Sequence, residues 1–136
     1  MNSAERSNAR QLQISSIRPV QRVLVVDDDP DGAEMVAEML SGWGFQTRFA
    51  LDGPSAIELA KVFLPQLILL DVGLPEMDGY EVARQLRLET SLSSVRLVAV
   101  TGWSGPERET KAREAGFDHY IVKPIQPSAL KPLLGE

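Results

Sequence analysis

Four short apolar runs, each stopping abruptly at a polar residue, constrain the fold of this chain more than any other feature. They are Val23 to Val26 into Asp27, Leu67 to Leu70 into Asp71, Leu97 to Val100 into Thr101, and Tyr120 to Val122 into Lys123. An unbroken apolar run of this length suits a strand buried on both faces, the condition of a parallel sheet covered by helices on each side. In such open sheets ligands gather beyond the carboxyl ends of the strands. If the four runs are neighbours, carboxylates, one hydroxyl and one ammonium converge on one edge. That donor set suits a metal ion and a phosphoryl group.

Helix signals fill the spaces between the runs. Pro30 suits a first helical turn capped by Asp29 or Asp28, with Ala33, Val36, Ala37 and Leu40 on one face and Gly42 and Gly44 at its end. Gln46 to Ala50 reads as a further strand, and Asp52, Gly53 and Pro54 open a helix with the stripe Ala56, Leu59, Ala60 and Phe63. Val72 to Gly79 reads as a loop before a helix through Val82, Ala83 and Leu86. The helix from Pro106 to Ala115 has few anchors, chiefly Ala112 and Ala115, so it is expected to be weakly held. A last strand, His119 to Val122, precedes a helix from Pro127 carrying Leu130, Leu133 and Leu134, which Pro132 should shorten or kink. Five strands alternating with five helices predict a three-layer α/β sandwich around a five-stranded parallel sheet.

A length of 136 residues fits one domain with a real core. Residues 1–19 read as a flexible extension and 20–136 as the folded domain. Through residue 18 the charges of Arg6, Arg10, Arg18 and Glu5 sum to +2, so the net charge of −5 leaves −7 for the rest. Such an acidic domain lacks the footprint for binding nucleic acid through its phosphates. No stretch approaches a membrane span or a secretory signal, and the chain reads as cytoplasmic. With no cysteine, covalent chemistry must use oxygen or nitrogen.

Asp27, Asp28 and Asp29 alone would suit a turn and a helix cap. Asp71 at a neighbouring strand end alters that reading, because two carboxylates about 5 Å apart repel by roughly 3 kcal/mol at an effective dielectric near 20. Lys123 supplies one compensating charge and a divalent cation would supply more. Oxygen-only ligands favour Mg²⁺, or Mn²⁺, over Zn²⁺. A carboxylate can accept a phosphoryl group as an acyl phosphate, with Lys123 neutralising its oxyanions and Thr101 hydrogen-bonding one. His119 reads as a surface or edge residue, and Trp43 as packing at the end of the first helix.

The runs Val-Leu-Val-Val-Asp-Asp-Asp-Pro at 23 to 30, Leu-Leu-Asp-Val-Gly-Leu-Pro-Glu-Met-Asp-Gly-Tyr-Glu at 69 to 81, Val-Thr-Gly at 100 to 102 and Tyr-Ile-Val-Lys-Pro at 120 to 124 closely resemble the receiver domain of two-component response regulators. The resemblance covers about residues 20 to 134 and implies a flavodoxin-like (βα)5 fold shared with the chemotaxis regulator. It implies that Asp71 takes its phosphoryl group from a histidine kinase or a histidine phosphotransfer protein. It also implies that Asp27, Asp28, Asp71 and the carbonyl of Gly73 hold Mg²⁺. Thr101 would be the switch hydroxyl, Lys123 the phosphoryl-binding cation and Tyr120 the aromatic that changes rotamer. Trp103, two residues after Thr101, is expected to shield the phosphoryl group from water. The poorly anchored 106–115 helix, the last strand and the last helix would form the output face toward a downstream protein or a phosphorylation-dependent dimer. No output domain is expected within residues 125–136. Two other classes share parts of this pattern. An aspartate-nucleophile phosphatase would need an Asp-x-Asp motif, whereas Asp71 is followed by Val72 and Gly73. A degenerate interaction module would lack some of the five key residues, and all are present.

Overall fold

The computed structural model describes residues 20–135. The expected extension, residues 1–19, and Glu136 lie outside them. The order is β1 (Arg22–Val26), α1 (Pro30–Gly42), β2 (Gln46–Ala50), α2 (Gly53–Phe63), β3 (Leu67–Asp71), α3 (Gly79–Leu88), β4 (Arg96–Thr101), α4 (Pro106–Ala115), β5 (His119–Val122) and α5 (Pro127–Leu130). Short 3₁₀ turns at Thr90–Leu92 and Lys131–Leu134 follow α3 and α5. The strands form one parallel sheet in the order β2-β1-β3-β4-β5.

Alternation along the strands explains why the central runs are apolar throughout. Leu24, Val26, Ile68, Leu70, Leu97 and Ala99 enter one core with Ala56 and Ala60 of α2, Val82, Ala83 and Leu86 of α3, and Ala112 and Ala115 of α4. Val23, Val25, Leu67, Leu69, Val98 and Val100 enter the other with Ala33, Ala37 and Leu40 of α1 and Leu130 and Leu134 at the carboxyl end. Both faces of β1, β3 and β4 are therefore covered.

Double burial stops at the margins of the sheet. In β5 only Ile121 is buried and Val122 is 39% exposed, because this strand is an edge with a neighbour on one side only. β2, the other edge, buries only Ala50. The final helix shortens as Pro132 requires: without an N–H at 132 the α-helical ladder ends at Leu130 and the chain continues as a 3₁₀ turn. Trp43 ends α1 and packs on the second core, with the Lys131 ammonium 4.9 Å from its ring. His119 is exposed at the start of β5.

Candidate functional site

Strand register builds the site. Val26 lies opposite Leu70, Asp71 opposite Val100, and Thr101 opposite Val122. Asp27, Asp71, Thr101 and Lys123 therefore reach the same carboxyl edge from four adjacent strands. All three acids of the Asp27–Asp29 run are then assigned. Asp29 caps α1, accepting the Asp31 N–H at 3.3 Å, which leaves Asp27 and Asp28 to face Asp71. Asp27, Asp28 and Asp71 each offer a carboxylate oxygen, and these oxygens lie within 4.8 Å of one another.

Asp71 is only 6% exposed, and both of its oxygens are engaged. Oδ1 accepts the Gly73 N–H at 2.8 Å, and Oδ2 accepts from the Lys123 ammonium at 2.7 Å. Lys123 is itself positioned by its N–H, which donates to the Thr101 carbonyl at 2.7 Å, and its peptide bond to Pro124 is cis. Burial alone would lower the Lys123 pKa, but the hydrogen bond and charge of Asp71, with Asp27 and Asp28 behind it, outweigh burial and raise it. Asp27 is also raised, first by burial and then by the charges of Asp71 and Asp28, against the Asp29 N–H and Lys123. One ammonium facing three carboxylates leaves net negative charge, and an all-oxygen donor set fits a hard divalent cation such as Mg²⁺.

Thr101 is 1% exposed, and its hydroxyl accepts the Trp103 N–H at 3.2 Å. The half-buried Tyr120 donates its hydroxyl hydrogen bond to the Trp103 carbonyl. Trp103 thus joins Thr101 and Tyr120 through its main chain. Trp103 is 66% exposed, and its ring faces the Arg108 guanidinium at 5.5 Å. Desolvation raises the Tyr120 pKa, with Tyr80 and Glu109 adding to it and Arg108 opposing.

Gly79 is a positioning residue that motif reading leaves as the end of a loop. A Cβ there would stand 2.4 Å from Val72 Cα and 2.5 Å from the Asp71 carbonyl oxygen, so only glycine lets α3 start against the end of β3. Its signal in the sequence is a glycine directly after the cap Asp78, at a helical position that capping does not require.

The model of the response regulator receiver domain matches residues 23–134. The DNA-binding response regulator MtrA of Mycolicibacterium smegmatis is 41% identical over 110 residues, which are 81% of this chain and 47% of that protein. The chain thus spans about half the length of such relatives. The chemotaxis protein CheY4 of Vibrio cholerae superposes with a TM-score of 0.80 at 28% identity, covering 84% of this chain and 95% of the other. The receiver domain of sensor histidine kinase PA1611 from Pseudomonas aeruginosa, solved with magnesium coordinated in its active-site cleft, gives 0.76 at 28% identity over 84% of this chain and 93% of the other.

Proposed function

The chain belongs to the response regulator receiver family, and from that premise we propose that Asp71 accepts a phosphoryl group from the phosphohistidine of a sensor histidine kinase or a histidine phosphotransfer protein. An Asp71 oxygen attacks phosphorus, the N–P bond breaks, and the imidazole leaves with its electron pair and takes up a proton. The observation that carries this reading is the Asp71 carboxylate itself, buried, aimed by the Gly73 N–H and charge-paired with Lys123 beside two further carboxylates. Asp27, Asp28, Asp71 and the Gly73 carbonyl would hold Mg²⁺, with Mn²⁺ as the alternative; when bound, the ion neutralises the oxyanions of the transferring group. Lys123 keeps its ammonium on the acceptor and then on the acyl phosphate. Thr101 turns its hydroxyl from the Trp103 N–H to a phosphoryl oxygen, and the loop tied to Tyr120 follows.

The phosphoryl group brings about −1.5 to −2 charge and three acceptor oxygens. Switching a 1:99 equilibrium to 99:1 takes about 5.5 kcal/mol, so a downstream protein that prefers the phosphorylated form completes the shift. The output face is α4, β5 and α5, acting by protein contact or by a phosphorylation-dependent dimer, in the cytoplasm and without direct contact to nucleic acid. Incubation with Mg²⁺ and acetyl phosphate, followed by intact mass, should add one phosphoryl group to the wild type and none to Asp71→Asn. Rapid catalytic turnover of the donor would favour a phosphatase instead, and no reaction a degenerate module.

A further inference from the structure

Tyr80, the second residue of α3, is 4% exposed, and its hydroxyl oxygen is buried with no hydrogen-bond partner among the described residues. It is the sole side-chain atom in that condition among them. A buried hydroxyl without a partner loses its hydration and recovers nothing in exchange, so the arrangement around it is penalised.

What surrounds Tyr80 is the seat of α4. That helix buries only Ala112 and Ala115, and both belong to the same core cluster as Tyr80 and Phe117. Phe117 meets the Tyr80 ring edge-on, with centroids 6.3 Å apart and planes at 85°. From α4 itself, the Lys111 ammonium lies 4.4 Å from the Tyr80 ring centroid. Tyr120 packs against the same cluster. The ring of Tyr80 therefore holds α4 through the Lys111 cation over its face and, just past the end of the helix, through Phe117. Its hydroxyl acts the other way.

We propose that Tyr80 is a positioning residue of the switch, its ring seating α4 while its unpartnered hydroxyl keeps that seat shallow enough to be left. The device needs both parts. A phenylalanine would hold α4 too firmly and a small residue would not hold it at all. The change in response to a phosphoryl mimic rests on the function proposed above; the effect on the resting protein does not.

Hydrogen exchange of the full chain tests this, with wild type, Tyr80→Phe and Lys111→Met each measured alone and with Mg²⁺ plus beryllofluoride. In the resting protein Tyr80→Phe should slow exchange across α4 by roughly five-fold or more and raise Tm by about 4 °C. Lys111→Met should speed exchange in α4 and leave α3 unaffected. With the mimic, the wild-type change in α4 should shrink markedly in Tyr80→Phe, which a role limited to stability would not produce if the site still loads. Unchanged or faster α4 exchange in resting Tyr80→Phe would overturn the proposal, as would a full mimic response in that variant. If the wild type fails to load the mimic, the receiver function is what fails, and the resting comparison still decides the role of the hydroxyl.

Discussion

α3 and α4 are both ten residues long and pack against one another, yet they are held in different ways. α3 is capped by Asp78, whose side chain accepts the Glu81 N–H at 2.9 Å, and it buries Tyr80, Val82, Ala83 and Leu86. α4 follows Gly105, whose φ of +138° suits glycine, has no side-chain cap and buries two alanines. Its two ends differ as well. Arg87 of α3 donates to the Gly116 carbonyl at 2.8 and 2.9 Å, to the Val95 carbonyl at 2.6 Å and to Asp118 at 2.8 Å, which clamps the far end of α4. The end nearer Thr101 meets the Trp103 loop, where the Arg108 guanidinium lies 5.5 Å from the Trp103 ring. A helix clamped at one end and without a side-chain cap at the other can pivot, which is what the switch proposed above requires.

The sharpest way to break this contrast is to hollow out the firm helix. Leu86→Ala should destabilise the domain by about 3 kcal/mol in urea unfolding, since Leu86 is fully buried, whereas Ala112→Gly in α4 should remove only about 1 kcal/mol. Comparable losses would mean that α4 carries as much of the core as α3. Next in size, Arg87→Met should cost about 2 kcal/mol and speed hydrogen exchange at residues 112–117 more than at 106–110. Uniform exchange along α4 would remove the pivot. Smaller still, Trp103→Ala should shorten the lifetime of the acyl phosphate if the indole shields it; an unchanged lifetime would leave Trp103 with its main-chain role alone.

The smallest effect concerns pH. Lys123 has a raised pKa in the folded protein, so its stabilising pairing with Asp71 is fully present below the ordinary lysine value and fades as pH rises through the raised one. Asp27 is also raised, so its protonated form favours the fold; that contribution is present in acid and lost as pH rises through its folded value, above the ordinary value for an aspartate. Urea midpoints in EDTA should accordingly fall on the alkaline side in the wild type and less so in Lys123→Met. The acid-side term should vanish in Asp27→Asn.

Much of the fold is legible along the chain because a strand buried on both faces has to be apolar throughout, as β1, β3 and β4 are. The weak hold on α4 is equally visible, since Ala112 and Ala115 are the only anchors its sequence offers. Tyr120 to Val122 shows where such reading stops: an apolar run reports the tendency to form a strand, while burial depends on how many neighbours that strand acquires.

The alternation of strands and helices, the polar residue at each strand end and the poverty of anchors in α4 are all written along the chain, because periodicity and turn chemistry are local. Packing in three dimensions is what spends Asp29 on a cap, requires glycine at 79, lets Arg87 clamp the end of α4 and leaves the Tyr80 hydroxyl without a partner among the described residues. The Arg87 clamp and the setting of Tyr80 depend on residues brought together from distant positions, and Gly79 on α3 returning against the end of β3, distances that spacing along the chain does not encode; the cap is local, but Asp28 and Asp29 suit it equally by sequence.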